Sequence, residues 1–561
     1  MRKVLLASGT MMLTATLAMG QNCAIPINHI SNFPSVKPSA QPDSLRIPST
    51  HTFQMLVQQG DPYSNPLNGS LGPLFDFTGY VGINGSSTQG YLNINHEGSS
   101  VPDAGVSVLD LHFDATDNIW VVTQKTPIDF SPVQGTGRNC SGGLTNWGTS
   151  ITSEETLPSG DANGDGYQDI GWQVEIDPAT RSVIDHDNDG QPDKLWRMGR
   201  MSHENIVLAS DNKTVYETND ENPGYVFKFV ADSAGDLSQG KLYVLRLDDQ
   251  IGIATTGSWR QVPNVTPTEC NNVRSAATSL GATNFNSLED IEISPLDGMV
   301  YFVSKQSSRV YRFRDFGTTV NDVEIFAGNP SQNYEIHYES NGDTLTAYEQ
   351  WRDGNDNLTF DDLGNLYVIQ DGGRNHIWMI TPCHTQQNPD VRLFAVTPAG
   401  CEPTGMTFSP DYRYMFVSMQ HPDASNVTVM KDAAGEYVVF NRESAIVIAH
   451  NGFLGDTDST VVIPEPTRVG GTTSAATRLS IVNVYPNPAT TAVNVAISSP
   501  SALAAQVKVY STTGSVVLAK ETVLNKGTNE VNLDAGTLAA GMYHIIVTTG
   551  EGTLNARFIK Q

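Results

Sequence analysis

The chain has 561 residues, of which 39% are hydrophobic and 17% charged, and its formal net charge is −27. This acidity excludes nucleic acid as a partner, because duplex binding needs clustered lysine and arginine. It also opposes anionic ligands unless bound cations reverse the local field. The 49 glycines and 30 prolines, with few amphipathic helical patterns, favour an all-β extracellular protein.

The first twenty residues are typical of a signal peptide. Arg2 and Lys3 form a basic start, residues 4–19 are a mostly apolar run, and Ala18-Met19-Gly20 supplies the small residues expected before a cleavage site. The run is too short and too interrupted for a membrane anchor, and no later stretch is long and apolar enough to cross a membrane. We therefore predict export without a transmembrane segment.

Five cysteines, Cys23, Cys140, Cys270, Cys383 and Cys401, leave one thiol unpaired within an exported chain. We expect Cys140 to be the unpaired one, since it lies in a glycine-rich polar segment. The other four are enough for two disulfides, and Cys383 with Cys401 is the pair that is closest in sequence.

One pattern recurs along the middle of the chain: an acidic residue, alternating apolar residues, a turn and a second β-rich run. It begins at Glu204, at Glu289 and Asp290, at Asp356 and at Glu402. Residues 113–124 and 237–247 show the turn and second strand alone. Each unit predicts a β-hairpin, and five or six such hairpins favour a β-propeller, with an array of β-sandwiches as the alternative.

The repeated acids suggest a shared site. If each acid begins the innermost strand of a blade, all of them face one central channel, where multivalent cations would hold them together. Alternatively, each acid caps a turn on the surface. After the main unit (21–462), a Pro/Gly/Thr-rich linker (463–478) precedes a predicted small β-sandwich (479–561).

Two aspartate loops within an insert at 157–193 are predicted to bind calcium. Oxygen-bearing side chains at loop positions one, three, five and nine converge on one cation, and glycine at position six permits the turn. Trp172 and Trp196 occupy position twelve, so neither loop is an EF-hand; the alternative is a turn without metal. The predicted ligands are Asp161, Asn163, Asp165 and Asp169, then Asp185, Asp187, Asp189 and Asp193.

The segment 135–155 combines Cys140 with several glycines, Trp147 and the adjacent acids Glu154 and Glu155. A thiolate binds iron or zinc tightly, carboxylates bind hard cations, and glycines let the backbone come close to a metal. This chemistry suggests a metal centre.

Residues from about 90 to 425 resemble the PhoX-type alkaline phosphatase family. The resemblance is carried by ordered motifs: Asn95-His96-Glu97, NCSGGLTNWGTSITSEE, MGRMSHENIV, YETND, FNSLEDIEI, GMVYF, DNLTFDDLGNLYVIQDG and CEPTGMTFSPDYRYMFVSMQHP. It implies a six-bladed propeller, an iron and calcium cluster in its channel, and hydrolysis of small phosphate monoesters.

The resemblance also implies roles for individual residues. Cys140 corresponds to the thiolate ligand of iron, and Glu204 and Glu289 to bridging or iron-binding acids; these three are the candidate catalytic residues. Further ligands, mostly for calcium, correspond to Glu97, Glu154, Glu155, Asp220 and Glu402, to which the repeat adds Asp290.

Two positions depart from the family pattern. Ser287 stands where many relatives have a phosphate-contacting arginine, and Ser153 stands where many have cysteine. The alternative function is therefore a calcium-stabilised, non-catalytic surface or ligand-binding propeller.

The tail resembles the C-terminal sorting domain of type IX secretion cargo. The motifs are residues 484–488 (VYPNP), 541–543 (GMY) and 557–561 (RFIKQ). The resemblance implies recognition by the type IX machinery, passage through periplasm and outer membrane, and a secreted or surface-attached product.

Overall fold

The computed structural model describes residues 23–352, 354–455, 480–485, 489–511, 516–550 and 552–560. The predicted signal peptide and the predicted linker lie outside these residues. Two compact units divide between residues 461 and 462. The first is built from four-stranded antiparallel sheets, a nine-stranded sheet in which two blades are joined, and two hairpins; the second has one three-stranded and one four-stranded sheet.

Three blades form the first half of the propeller unit, after the strand β1 (His51–Gln58). Within each blade the strands pair in sequence order, so the first strand is innermost. The strands are β2 (Phe75–Gly82), β3 (Gln89–Glu97), β4 (Ala104–Asp114) and β5 (Ile119–Pro127); β6 (Asn139–Leu144), β7 (Ser150–Glu154), β8 (Gln173–Asp177) and β9 (Ser182–Val183); β10 (His203–Leu208), β11 (Thr214–Asn219), β12 (Val226–Ser233) and β13 (Asp236–Leu247).

Three further blades complete the ring, and an extra strand, β14 (Thr256–Val262), pairs with β13 and with the outer strand of the fourth blade. Two additional hairpins are present: β19–β20 lies in sequence between the fourth and fifth blades, and β27–β28 lies between two strands of the sixth blade. The strands are β15 (Leu288–Ile293), β16 (Val300–Ser304), β17 (Arg309–Asp315) and β18 (Thr319–Ala327); β19 (Asn333–Ser340) and β20 (Asp343–Gln350); β21 (Asn355–Phe360), β22 (Leu366–Gln370), β23 (His376–Ile380) and β24 (Val391–Val396); β25 (Glu402–Phe408), β26 (Tyr414–Gln420), β27 (Met430–Lys431), β28 (Tyr437–Val438) and β29 (Ser444–His450).

The ring closes by pairing the two ends of the unit. Strand β1 pairs antiparallel with β29, with Phe53 opposite Ile448, so the sixth blade combines the first strand of the unit with its last three long strands. The innermost strands β2, β6, β10, β15, β21 and β25 each contact the next, and β25 contacts β2. The predicted six-bladed propeller is confirmed among the described residues.

A separate apolar cluster lies between each pair of neighbouring blades. Trp120 and Phe416 pack between the first and sixth blades, for example, and Phe227 contributes to the cluster between the second and third. Because strands inside a blade are covered on both faces, the second strands β22 and β26 are buried throughout. This packing fixes the blades and therefore the residues at the start of each inner strand.

The hairpin predictions mostly hold. Residues 204–220, 289–305, 356–372 and 402–421 form the inner hairpins β10–β11, β15–β16, β21–β22 and β25–β26, and 113–124 spans the outer turn β4–β5. The prediction of a turn in 237–247 is wrong, because these residues belong to the single twelve-residue strand β13. Gly240 is a strand residue there, opposite Ala231.

Helix is rare in the described residues. A capping box between Thr266 and Glu269 starts the short helix α1 (Pro267–Cys270), which is followed by α2 (Val273–Ser279). Single 3₁₀ turns complete the set: Pro66–Asn68, Ile83–Gly85, Ser131–Val133 and Trp196–Met198.

The disulfide prediction is wrong. Cys383 pairs with Cys23, which is 360 residues away in sequence. Cys270 and Cys401 are buried free thiols, and Cys140 is free as expected. The bridge ties the start of the described chain to the fifth blade.

The second unit is a small β-sandwich, as predicted. One sheet has the order β30-β31-β34 and the other β33-β32-β35-β36. Val495, Val507 and Ile545 belong to the core between them. The predicted strand start at Gly541 is confirmed, whereas residues 486–488 of the VYPNP motif lie outside the described residues. The strands are β30 (Ser480–Tyr485), β31 (Ala492–Ser499), β32 (Leu503–Ser511), β33 (Val516–Leu524), β34 (Gly527–Asp534), β35 (Gly541–Thr549) and β36 (Gly552–Lys560).

Candidate metal centre

Each of the six innermost strands has a potential metal ligand as its first or second residue. These residues lie at the same end of the channel, because all six strands run in the same sense around the ring. In chain order they are Asp76, Cys140, Glu204, Glu289, Asp356 and Glu402. The second strand of a blade runs antiparallel to the first, so it finishes at this end. It adds Glu97, the last residue of β3, and Glu155 and Asp371, which directly follow β7 and β22.

The ligand atoms form four overlapping groups, and within each group they lie within 4.8 Å of one another. Cys140, Glu204 and Asp356 are each shared by two groups, so the groups form one continuous cluster. The groups are Asp76, Glu97 and Cys140; Cys140, Glu155 and Glu204; Glu204, Glu289 and Asp356; and Asp356, Asp371 and Glu402.

The thiol of Cys140 is the only sulfur in this cluster among the described residues. Its Sγ lies 3.5 Å from Oε1 of Glu204 and 3.8 Å from Oδ2 of Asp76. Burial, followed by the charges of Asp76 and Glu204, raises the pKa of Cys140 well above its usual range. A thiolate here therefore needs a nearby cation.

The carboxylates of the cluster repel one another. Burial and neighbouring acids raise the pKa values of Asp76, Glu204, Glu289 and Glu402 well above the usual range for carboxyl groups. The same causes raise the pKa of Glu155 to about 9. Buried Oδ1 of Asp76 and Oε1 of Glu289 have no hydrogen-bond partner among the described residues. Such crowded acceptors fit bound cations.

Two basic side chains enter the cluster from opposite sides. Arg138 bonds to Glu97 and lies 2.9 Å from Oε2 of Glu155. Lys305, which follows β16, places Nζ 2.8 Å from Oδ2 of Asp356 and 2.5 Å from Oδ2 of Asp371. These cations partly compensate the acids but are outnumbered by them.

Three predicted ligands have other surroundings. Fully buried Glu154 forms a 2.6 Å ion pair with Lys194 and accepts hydrogen bonds from Gly171 N and Trp172 N. Asp290 accepts from Ser141 Oγ, Asn357 Nδ2 and Leu358 N, and so joins three inner strands. Asp220 follows β11 beside the cluster, but its oxygens are not in the four groups.

Three histidines close to the cluster residues in sequence, His96, His203 and His421, make protein contacts. His96 lies 3.0 Å from Pro73 O and 2.7 Å from Ser107 Oγ, and His203 lies 3.2 Å from Glu217 Oε2. His421, half exposed, has Nε2 3.9 Å from Oε2 of Glu402. His96 and His203 therefore have structural surroundings.

The two aspartate loops lie together, away from the four channel groups. In the second loop, Asp185, Asp187 and Asp193 bring their oxygens within 4.8 Å of one another. Buried Oδ1 of Asp185 has no hydrogen-bond partner within the part of the chain that the structure describes, and Asp189 accepts from Gln191 N. In the first loop Asp161 accepts from Gly164 N and Gly166 N, Asn163 contacts Asp165, and Asp169 accepts from Ala162 N.

A cavity of about 310 Å³ is lined by residues of both loops and by the stacked rings of Tyr167 and Trp196.

Sequence reasoning did not propose Asp76 or Asp371 as ligands, and it included Asp356 only as one of the repeated acids expected to face the channel. Asp356 opens a recognised repeat, so its position carried the signal. Asp371 closes the second strand of that repeat, in the run YVIQDG. Asp76 begins a strand for which no repeat was recognised, and only the closed ring places it beside Cys140.

Residues 114–423, more than half of the chain, match the family model described as alkaline phosphatase PhoX. The chain belongs to the PhoX alkaline phosphatase family. The structure of Pseudomonas fluorescens PhoX in complex with vanadate, a transition state analogue, aligns with a TM-score of 0.57 and 22% identity over 74% of this chain and 98% of that one. At this identity the likeness shows the fold.

A weaker match, the structure of the periplasmic gluconolactonase of Pseudomonas aeruginosa, aligns with a TM-score of 0.33 and 12% identity over 74% of this chain and 98% of that one. A search of curated proteins gave no match.

Residues 483–561 match the secretion system C-terminal sorting domain. This PhoX-family chain is therefore exported, either secreted or attached to the cell surface. No helix among its described residues has the length and apolar character needed to span a membrane.

Proposed function

We propose that the chain is an exported phosphatase that hydrolyses small phosphate monoesters with an iron and calcium cluster in the propeller channel. The observation that carries this proposal is the arrangement of Cys140 between Asp76 and Glu204. A soft thiolate beside hard carboxylates suits iron, whereas groups of oxygen ligands alone suit calcium. Family membership supports the reaction class.

The residues fit such a cluster. Cys140, Glu204 and Glu289 would hold iron, and Glu97, Glu155, Asp356, Asp371 and Glu402 would hold calcium. When bound, the cations would hold phosphate oxygens and spread the charge that develops in the transition state. They would also reverse the negative field that otherwise repels a phosphate.

The chain's own contribution is preorganisation. The inter-blade hydrogen bonds of Asp290 keep neighbouring inner strands in register, and the ion pair of Glu154 with Lys194 supports the strand end that presents Glu155. Ligands held this way need little rearrangement when cations and substrate bind.

We also propose that the two aspartate loops bind structural calcium and that the tail is recognised by type IX secretion machinery. The converging oxygens and unpartnered Oδ1 of Asp185 support the first proposal. The match to a secretion sorting domain supports the second.

The first experiment determines metals and activity on one sample of mature protein, purified without added metal or chelator. Elemental mass spectrometry gives iron and calcium per chain, and p-nitrophenyl phosphate hydrolysis is assayed with and without calcium. Iron, calcium and turnover together are expected. Calcium without iron, and no turnover on a panel of phosphate esters, would instead favour the calcium-stabilised binding propeller. The uncharged Ser287 is the feature that favours this second candidate.

A further inference from the structure

Lys305 lies between the carboxylate cluster and solvent. Its Nζ is 2.5 Å from Oδ2 of Asp371, 2.8 Å from Oδ2 of Asp356 and 3.9 Å from Oε1 of Glu289. The lysine side chain is 32% exposed, whereas those of Glu289 and Asp356 are 4% and 10% exposed. Asp371, at 33%, is as exposed as the lysine. The ammonium group is therefore reachable from outside the channel, whereas the oxygens of Glu289 and Asp356 are largely covered.

The position of Lys305 follows from the pairing of the fourth blade. Its backbone N–H donates to the carbonyl of Ser287 across the end of β15 and β16, where Leu288 is opposite Ser304. The lysine thus stands directly across from a serine that carries no charge. Of the two basic side chains found in the described cluster, Lys305 is the one on this side, since Arg138 contacts Glu97 and Glu155.

Cation binding would change what surrounds the ammonium. Asp356 belongs to two of the four ligand groups, and Asp371 and Glu289 belong to one each. Cations bound to these oxygens compete with the lysine for the same lone pairs and add positive charge beside it. An anion bound next to these cations is then a better partner for the Lys305 ammonium group than the carboxylates are. A flexible ammonium group is well suited to contact it, because lysine is a common phosphate binder.

We propose that Lys305 binds phosphate oxygens of the substrate and thereby sets the affinity of the site for phosphate. The inference rests on the proposed phosphatase function. It assigns to Lys305 the direct positive contact that Ser287 does not make.

The test measures binding of inorganic phosphate to metal-loaded protein by titration calorimetry, alongside metal content by elemental mass spectrometry. Lys305→Gln is expected to keep its metals and to weaken the phosphate Kd by about 10–100-fold, as expected for loss of one charge-assisted hydrogen bond. Lys305→Arg should recover most of the affinity. Lys213→Gln is the matched control, because Lys213 lies in the exposed turn between β10 and β11, bonded to Asp232 O.

The outcomes separate this proposal from the proposed function. Wild-type affinity in Lys305→Gln at full metal content overturns the role of Lys305. Loss of metals in that variant, without recovery in Lys305→Arg, makes the lysine a structural partner of the acids and overturns it as well. If the Lys305→Gln protein does not fold, Lys305→Met provides a second neutral variant that retains the aliphatic stem. If the wild-type protein itself neither binds nor hydrolyses phosphate, the proposed function fails instead.

Discussion

Two adjacent glutamates, Glu154 and Glu155, should respond to the same substitution in opposite ways. Glu154 and its partner Lys194 are both fully buried, with Nζ 2.6 Å from Oε1. Removing one partner of a buried ion pair costs about 3–5 kcal/mol, because the other charge is left uncompensated. Glu154→Gln should therefore lower the free energy of unfolding by about this amount while metal content stays at the wild-type level.

Glu155→Gln should have the reverse effect. Burial and the charge of Glu97 raise the pKa of Glu155 to about 9, so the side chain already carries a proton near neutral pH when no cation is bound. A neutral amide of the same size changes little in metal-free protein. With metals present, the substitution removes an oxygen ligand from the group shared with Cys140 and Glu204, and metal content should fall.

The assay combines urea unfolding of chelator-treated protein, followed by tryptophan fluorescence, with elemental analysis after reconstitution. Lys194→Met and the double variant Glu154→Gln/Lys194→Met complete a mutant cycle, in which the double variant should be more stable than the sum of the two losses implies. Loss of metal in Glu154→Gln with unchanged stability would refute the structural role assigned to this pair.

Three further predictions follow from the geometry. Cys140→Ala should lose iron and turnover together, and full iron occupancy in that variant would contradict the ligand assignment. Replacing Asp185 and Asp187 with asparagine should remove one calcium per chain and lower the thermal midpoint measured in calcium, while kcat stays unchanged; an unchanged calcium count would argue for a turn without metal. Burial lowers the pKa of His51 from 6.5 to about 3, so the unfolded chain binds a proton that the folded chain does not, and stability falls as the pH drops through this window. When the free energy of unfolding is measured with urea at a series of pH values, His51→Gln should lose less stability on acidification than the wild type, whereas His337→Gln, at an exposed position, should behave like the wild type. An equal dependence of the unfolding free energy on pH in His51→Gln and the wild type would show that His51 contributes nothing.

The start of each inner hairpin was the most predictable part of the site. Strand alternation, a turn and a leading acid recur in the sequence at Glu204, Glu289, Asp356 and Glu402, because the same structural task is repeated in each blade. A propeller converts that repetition into a ring. Cys140 was recognisable from its unusual glycine-rich surroundings and from the motif around it.

The choice between adjacent acids could not be made from sequence. Consecutive side chains on a strand point to opposite faces, so only one of Glu154 and Glu155 can face the channel, and the register at the end of β7 decides which. The register is set by packing around Trp172 and Lys194, which are distant in sequence from the pair. The same reason explains why Asp290 joins strands while Glu289 faces the cluster.

Ring closure accounts for most of the remaining differences. Asp76 is near Cys140 only because β2 contacts both β6 and β25, and Cys23 is near Cys383 only because the start of the chain lies against the fifth blade. Local patterns carry no information about contacts separated by 64 or 360 residues. Proximity in sequence therefore favoured the wrong partner for Cys383.

The acidity of the chain and a phosphate substrate become compatible once the carboxylates have a common location. Dispersed over a surface, they would repel an anion at every approach. Gathered at one end of a channel, they would hold cations, as we propose, and those cations would attract the anion. The cost falls on the ion-free state, in which burial and the neighbouring acids raise the pKa values of Glu204 and Glu289 and so disfavour their ionised forms. Cations that bind the folded chain and not the unfolded one stabilise it in proportion to RT ln(1 + [L]/Kd). Under the proposed function, the same clustered acids couple the stability of the propeller to metal supply, and the cations that they would hold provide the positive field that a phosphate monoester requires.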